Sequence, residues 1–156
     1  MKYTYLFLLI FLCGCDKYKV ENNDFNSYLS SAKIHCQGTQ IQIFRLINTQ
    51  YKKFNTIDKI IANIDKEEFP DILDRSNKAV EHIFEAQKIM EFLYKQRRLS
   101  PLVKDYFFEI KKIIEHNGSF IEGLNRGVFS VNNFGIYVGN IKELEELFSK
   151  IKLEMK

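Results

Sequence analysis

Pro70-Asp71-Ile72-Leu73-Asp74-Arg75-Ser76-Asn77-Lys78-Ala79-Val80-Glu81-His82-Ile83-Phe84-Glu85-Ala86-Gln87-Lys88-Ile89-Met90-Glu91-Phe92-Leu93-Tyr94-Lys95-Gln96-Arg97-Arg98 is the stretch that decides the fold. Leu73, Val80, Ile83, Met90 and Tyr94 recur at three- and four-residue spacing, the period of one helix face. Ile72, Ala79, Ala86, Ile89 and Leu93 flank that stripe. So wide an apolar face touches more than one neighbour, as in a bundle. Pro70 suits the first turn, where its missing N–H is not needed. Lys95, Arg97 and Arg98 gather in the last turns, where cations complement the helix dipole. The spacing therefore predicts a helix over 71–98.

Towards the C-terminus, Ser100-Pro101 opens a further predicted helix, with Ser as cap and Pro at the first position. It carries Val103, Tyr106, Phe107, Ile110, Ile113 and Ile114 on one face, and Asn117-Gly118 reads as its C-terminal signal. Asn117-Gly118-Ser119 also matches a glycosylation acceptor, for which the simpler reading is a turn between helices. A short turn of helix is expected from Ser119 to Asn125. Residues 127–139 read as extended, with Val128 to Val131 and Phe134 to Val138 pairing as a short β-hairpin across Asn132-Asn133. A last helix is expected from Ile141, with Leu144, Phe148, Ile151 and Met155 on its stripe.

Towards the N-terminus, Phe25, Leu29, Ala32, Cys36, Ile43, Leu46 and Phe54 form another three-and-four ladder, completed by Thr39 and Gln50. Asp24 is its candidate N-cap and Gly38 a possible break, since Gly costs about 1 kcal/mol against Ala. Ile57, Ile60, Ile61 and Ile64 follow Thr56 as a second short piece. The expected fold class is mainly α, a small helical bundle with a short β-hairpin near the C-terminal end. No internal repeat or interdomain linker interrupts it.

The chain of 156 residues has room for one domain. Fourteen Phe and eight Tyr exclude disorder for its body, because disordered segments lack that aromatic content. A formal charge of +3, with acidic and basic residues interspersed, lacks the clustered basic face that nucleic acid requires. Lys95, Arg97, Arg98 and Lys104 lie near Phe92 and Tyr94, a pattern that stacking nucleic-acid binders share, but helix-end charge accounts for it. No nucleic-acid partner is expected.

Residues 1–15 read Met-Lys-Tyr-Thr-Tyr-Leu-Phe-Leu-Leu-Ile-Phe-Leu-Cys-Gly-Cys. One cation, an apolar run from Tyr3 to Leu12, small residues and then a polar sequence follow the order of a secretory signal peptide. Ten helical residues rise only about 15 Å, half of a bilayer core. Leu12-Cys13-Gly14-Cys15 resembles the lipobox of bacterial lipoproteins, with Cys13 at a place more often held by Ala, Ser or Thr. That resemblance implies removal of residues 1–14 and acylation of Cys15 with palmitate-type chains. It also implies a lipidated tether over 15–24 and a helical domain over 25–156 outside the cytoplasm. Asp16 resembles the residue that retains many such proteins in the inner membrane, a rule that varies between bacterial groups. Cys36 would then be the one thiol of the mature body, with no intramolecular disulfide possible. It is either buried or free to pair between molecules.

Catalytic patterns are sparse. His35, His82 and His116 are far apart in sequence, without HExxH, CxxC, GxSxG, P-loop or dinucleotide motifs. Neither a catalytic residue, nor a metal site, nor a cofactor is expected. Glu85 follows His82 by three residues and is placed to orient it, as a general base requires. The commoner use of such a pair is a surface contact. Cys36 beside His35 points about 100° away on a helix, so the two do not form a nucleophile–base pair. The functional expectation is a membrane-anchored envelope lipoprotein, held by lipid at Cys15 and acting as a non-enzymatic protein-binding or accessory factor for another envelope or extracellular protein. The alternatives are an envelope enzyme with a site assembled from distant residues, or a structural spacer.

Overall fold

The computed structural model describes the backbone of residues 2–51, 53–54, 56–64, 66–128 and 130–155, with side chains described from Asn22 onward except at 57 and 131. Among the described residues five α-helices follow one another: α1 Lys2–Tyr51, α2 Ile57–Ala62, α3 Phe69–Lys95, α4 Pro101–Asn125 and α5 Val131–Glu154, with a 3₁₀ turn at Lys66–Glu68 before α3. α3 lies along both α1 and α4, and α5 lies along α4. The four long helices alternate in direction. The middle of α1, from Phe25 to Cys36, shares its core with the second half of α3, the first half of α4 and the second half of α5.

Periodicity places the core residues. Phe25, Leu29, Ala32, Cys36, Thr39, Ile43 and Leu46 of α1 are all buried, as that ladder predicts. Ile83 and Ile110, on the stripes of α3 and α4, are fully buried. The α3 stripe is rotated slightly from its expected centre: Ile72, Ala79, Ala86 and Leu93 are buried, whereas Leu73, Val80 and Tyr94 pack only partly. Ser100 caps α4 by accepting from the Val103 N–H at 3.3 Å, with Pro101 at the first helical position.

The expected hairpin is absent: residues 131–139 begin α5, and no strand occurs among the described residues. The Ser130 hydroxyl accepts from the Asn133 N–H at 3.1 Å, starting a helix at the end of the first expected strand. Phe134, Tyr137 and Leu144 then continue one helical face, on which Tyr137 is fully buried against Phe120 at 4.6 Å between ring centroids. Tertiary burial of that face overrides the weak helix propensity of Gly135, Val138 and Gly139.

Three other expected boundaries are also interior to helices. Asn117-Gly118 does not end α4, because Asn117 is buried and Gly118 lies where α4 meets α3. A Cβ on Gly118 would sit 3.4 Å from Ser76 Oγ and 3.5 Å from a Val80 methyl. Gly38 does not break α1; the Arg75 side chain lies against it, 3.2 Å from where a Cβ would be. Asp24 likewise sits within α1 and is exposed, so it caps nothing.

α3 and α4 end alike. The Arg98 N–H reaches back to Leu93 O and the Arg97 N–H to Tyr94 O, while the Val128 N–H reaches Gly123 O and the Gly127 N–H Leu124 O. This pairing closes a helix with one left-handed residue. Gly127 fills that place after α4 with φ +76°, and Arg97 fills it after α3 with φ 54°.

Candidate functional site

The core has two apolar segments, one centred on Phe25, Ile83, Phe107 and Phe148, the other on Ile43, Ile72, Ile121 and Tyr137. Between them lie the buried polar residues Thr39, Gln40, Ser76 and Asn117. Asn117 Nδ2 donates to Cys36 Sγ at 3.6 Å, and Asn140 Nδ2 donates to Asn117 Oδ1 at 3.0 Å. Asn140 Nδ2 also lies 3.2 Å from His116 Nδ1. Tyr137 Oη and Gln40 Nε2 are buried without a hydrogen-bond partner among the described residues. This layer joins α1, α4 and α5 by directional contacts that a purely apolar core lacks.

Cys36 belongs to this layer and is 4% exposed. Burial pushes its thiol up to about 11, and the Asn117 hydrogen bond opposes that rise only in part. A nucleophilic cysteine needs the reverse, a depressed pKa in an accessible site. Pairing between molecules would require the bundle to open. The Tyr137 phenol is likewise pushed up, by burial first and by Cys36 second.

The α1–α3 seam holds the second cluster. His35 and His82 stack with ring centroids 5.4 Å apart and planes 14° apart, and Tyr28 lies 5.8 Å from His82. Burial lowers the His35 pKa below 6.5, reinforced by His82, Lys78 and Arg75 and opposed by Asp74, whose carboxylate accepts from Lys78 at 2.7 Å. His35 Nδ1 is buried without a hydrogen-bond partner among the described residues. Glu85 accepts from Lys88 Nζ at 2.6 Å, so the carboxylate considered as an orienting partner for His82 forms a surface ion pair instead. The stacked imidazoles were not anticipated, since they come from helices 47 positions apart in sequence. The available signal was a shared seven-residue step, Tyr28 to His35 on α1 and Arg75 to His82 on α3. Among the described residues no group of three or more His, Cys, Asp or Glu is placed to hold a metal ion.

On the outer face of α1, Ile34 is 63% exposed and Ile41 69% exposed. Ile41 continues into an open groove of about 790 Å³ lined with Phe44, Arg45, Asn48, Thr49 and Tyr51. The backbone of the lipobox-like segment belongs to α1, and the side chains of Cys15 and its neighbours lie outside the described ones. Among the residues that are described, no helix is long and apolar enough to cross a membrane. No protein family, curated protein or solved structure matches the chain.

Proposed function

We propose that the chain is a lipoprotein of the bacterial cell envelope, anchored through acylated Cys15, whose helical domain is a non-enzymatic protein-binding or accessory factor. The anchor half rests on Lys2, the short apolar run and Leu12-Cys13-Gly14-Cys15. The binding half is carried by one observation, the uncharged and partly apolar outer face of α1. From Phe25 to Phe44 the only Asp, Glu, Lys or Arg is Lys33, and its ammonium is taken by Glu145 of α5 at 2.7 Å. Asp74, Lys78, Glu85 and Lys88 charge the surface of α3, as is usual for a solvated helix face. Depletion of charge around exposed aliphatic side chains is the composition of an interface core.

A photo-reactive residue placed at Ile41 tests this in intact cells, with one at Asn77 on α3 as the comparison. The expected result is a single protein adduct of defined mass from position 41, lost on Ile34→Glu, and none from position 77. The same set of adducts from both positions, or none from either, would contradict the assignment.

A further inference from the structure

The alternating topology brings the α3–α4 turn to the same end of the bundle as the N-terminal part of α1. Phe25 of α1 and Phe107 of α4 lie at one level, their rings 5.9 Å apart. Pro101 begins α4 six residues before Phe107, about 9 Å towards that end at a rise of 1.5 Å per residue. Cys15 precedes Phe25 by ten residues, about 15 Å along α1. The turn therefore lies roughly 6 Å above the level of Cys15, within the thickness of one polar headgroup layer.

The turn is built for such a layer. Lys95 and Arg97 are exposed, and Lys104 Nζ sits 4.4 Å above the Tyr94 ring. Leu102 is 49% exposed beside them, and a shallow depression of about 440 Å³ runs between Tyr94, Lys95, Arg97, Leu99 and Pro101. On the two helix ends the four cations Lys95, Arg97, Arg98 and Lys104 stand against two carboxylates, Glu91 one turn before Lys95 and Asp105 beside Lys104. Arg97 adds an independent sign. It occupies the left-handed position that Gly127 fills after α4. A non-glycine residue there costs of order 1 kcal/mol, and strain of this kind marks places where the side chain has a use.

We propose that the α3–α4 turn is a lipid-contact surface, docking the bundle end-on against an anionic phospholipid membrane. Lys95, Arg97 and Lys104 meet headgroup phosphates, and Leu102 enters the headgroup layer. Basic side chains close to an anionic leaflet are attracted to it within a Debye length, and an exposed leucine adds apolar insertion. This inference rests on Cys15 as the anchor, which delivers the turn to the surface.

The full lipidated chain, with Leu102→Cys carrying a bimane fluorophore, is reconstituted on phosphatidylcholine vesicles with and without phosphatidylglycerol, and brominated lipid serves as quencher. A second sample carries the label at Thr56, at the far end of the bundle. The expected result is quenching at 102 but not at 56, present with phosphatidylglycerol and lost in high salt. Arg97→Gly should weaken that quenching while leaving the fold at least as stable, since it removes the cation and relieves the left-handed strain together. Chain that floats with the vesicles yet shows no quenching at 102, or quenching indifferent to phosphatidylglycerol and to Arg97→Gly, would overturn the inference and leave the anchor standing. Chain that does not float at all would overturn the anchor and the docking with it.

Discussion

Two side chains show how burial sets chemistry at the scale of single residues. With the Cys36 pKa raised from 9.0 to about 11, the thiolate fraction at pH 8 is roughly a hundredfold smaller than for an exposed thiol. Native protein should therefore react with a disulfide reagent at least about a hundredfold more slowly than unfolded protein; equal rates would show Cys36 to be accessible. His35 carries a pH signature. Its pKa in the folded state lies below 6.5, so the unfolded chain binds more protons once the pH falls below about 6.5. Stability from neutral His35 is fully present above that value and declines as the pH drops towards the folded-state pKa. Urea midpoints at about pH 7.5 and pH 5.5 should fall further for the wild type than for His35→Gln. An equal fall in both would remove His35 from the account. Neither environment was legible in the sequence beyond the burial of Cys36 on its ladder. The stack of His35 on His82 depends on the register of α1 against α3, and helical period alone does not fix register.

At the scale of elements, caps and faces were legible where several signals agreed. Ser100-Pro101 and the α3 stripe predicted their helices, and α2 begins immediately after Thr56, where the Ile57 to Ile64 spacing placed it. Residues 127–139 were misread because Gly135 and Gly139 with Val and aromatic neighbours weaken helix and favour strand locally. The Ser130 cap and the buried Tyr137 outweigh that preference. The three glycines now separate in sign. Gly135 and Gly139 are helical with open space at their Cβ positions, whereas Gly127 has φ +76°. Ala at 135 or 139 should raise stability by about 0.5–1 kcal/mol each. Ala at 127 should lower it by about 1–2 kcal/mol. Denaturant midpoints check this, and a loss at 135 and 139 would argue against α5 beginning at Val131.

For the whole molecule, two apolar segments around a polar layer explain why a bundle of alternating helices forms in one register. Ile83→Ala or Ile110→Ala should each cost about 2–5 kcal/mol, through lost transfer energy and a residual cavity; an unchanged midpoint for either would contradict its full burial. The general outline of this core and the basic cluster around Lys95, Arg97, Arg98 and Lys104 were readable from the sequence, whereas the outward face of α1 and the end of the bundle to which that cluster belongs emerge only once the helices are placed. Both surfaces gain their meaning from the lipid proposed at Cys15. The mass of the N-terminal proteolytic peptide from membrane-purified protein measures that lipid most directly. A chain beginning at Cys15 and carrying diacylglyceryl and acyl mass on that residue is the result expected. An unmodified Cys15, or a mature chain that begins elsewhere, would contradict the anchor and leave a helical domain without its tether.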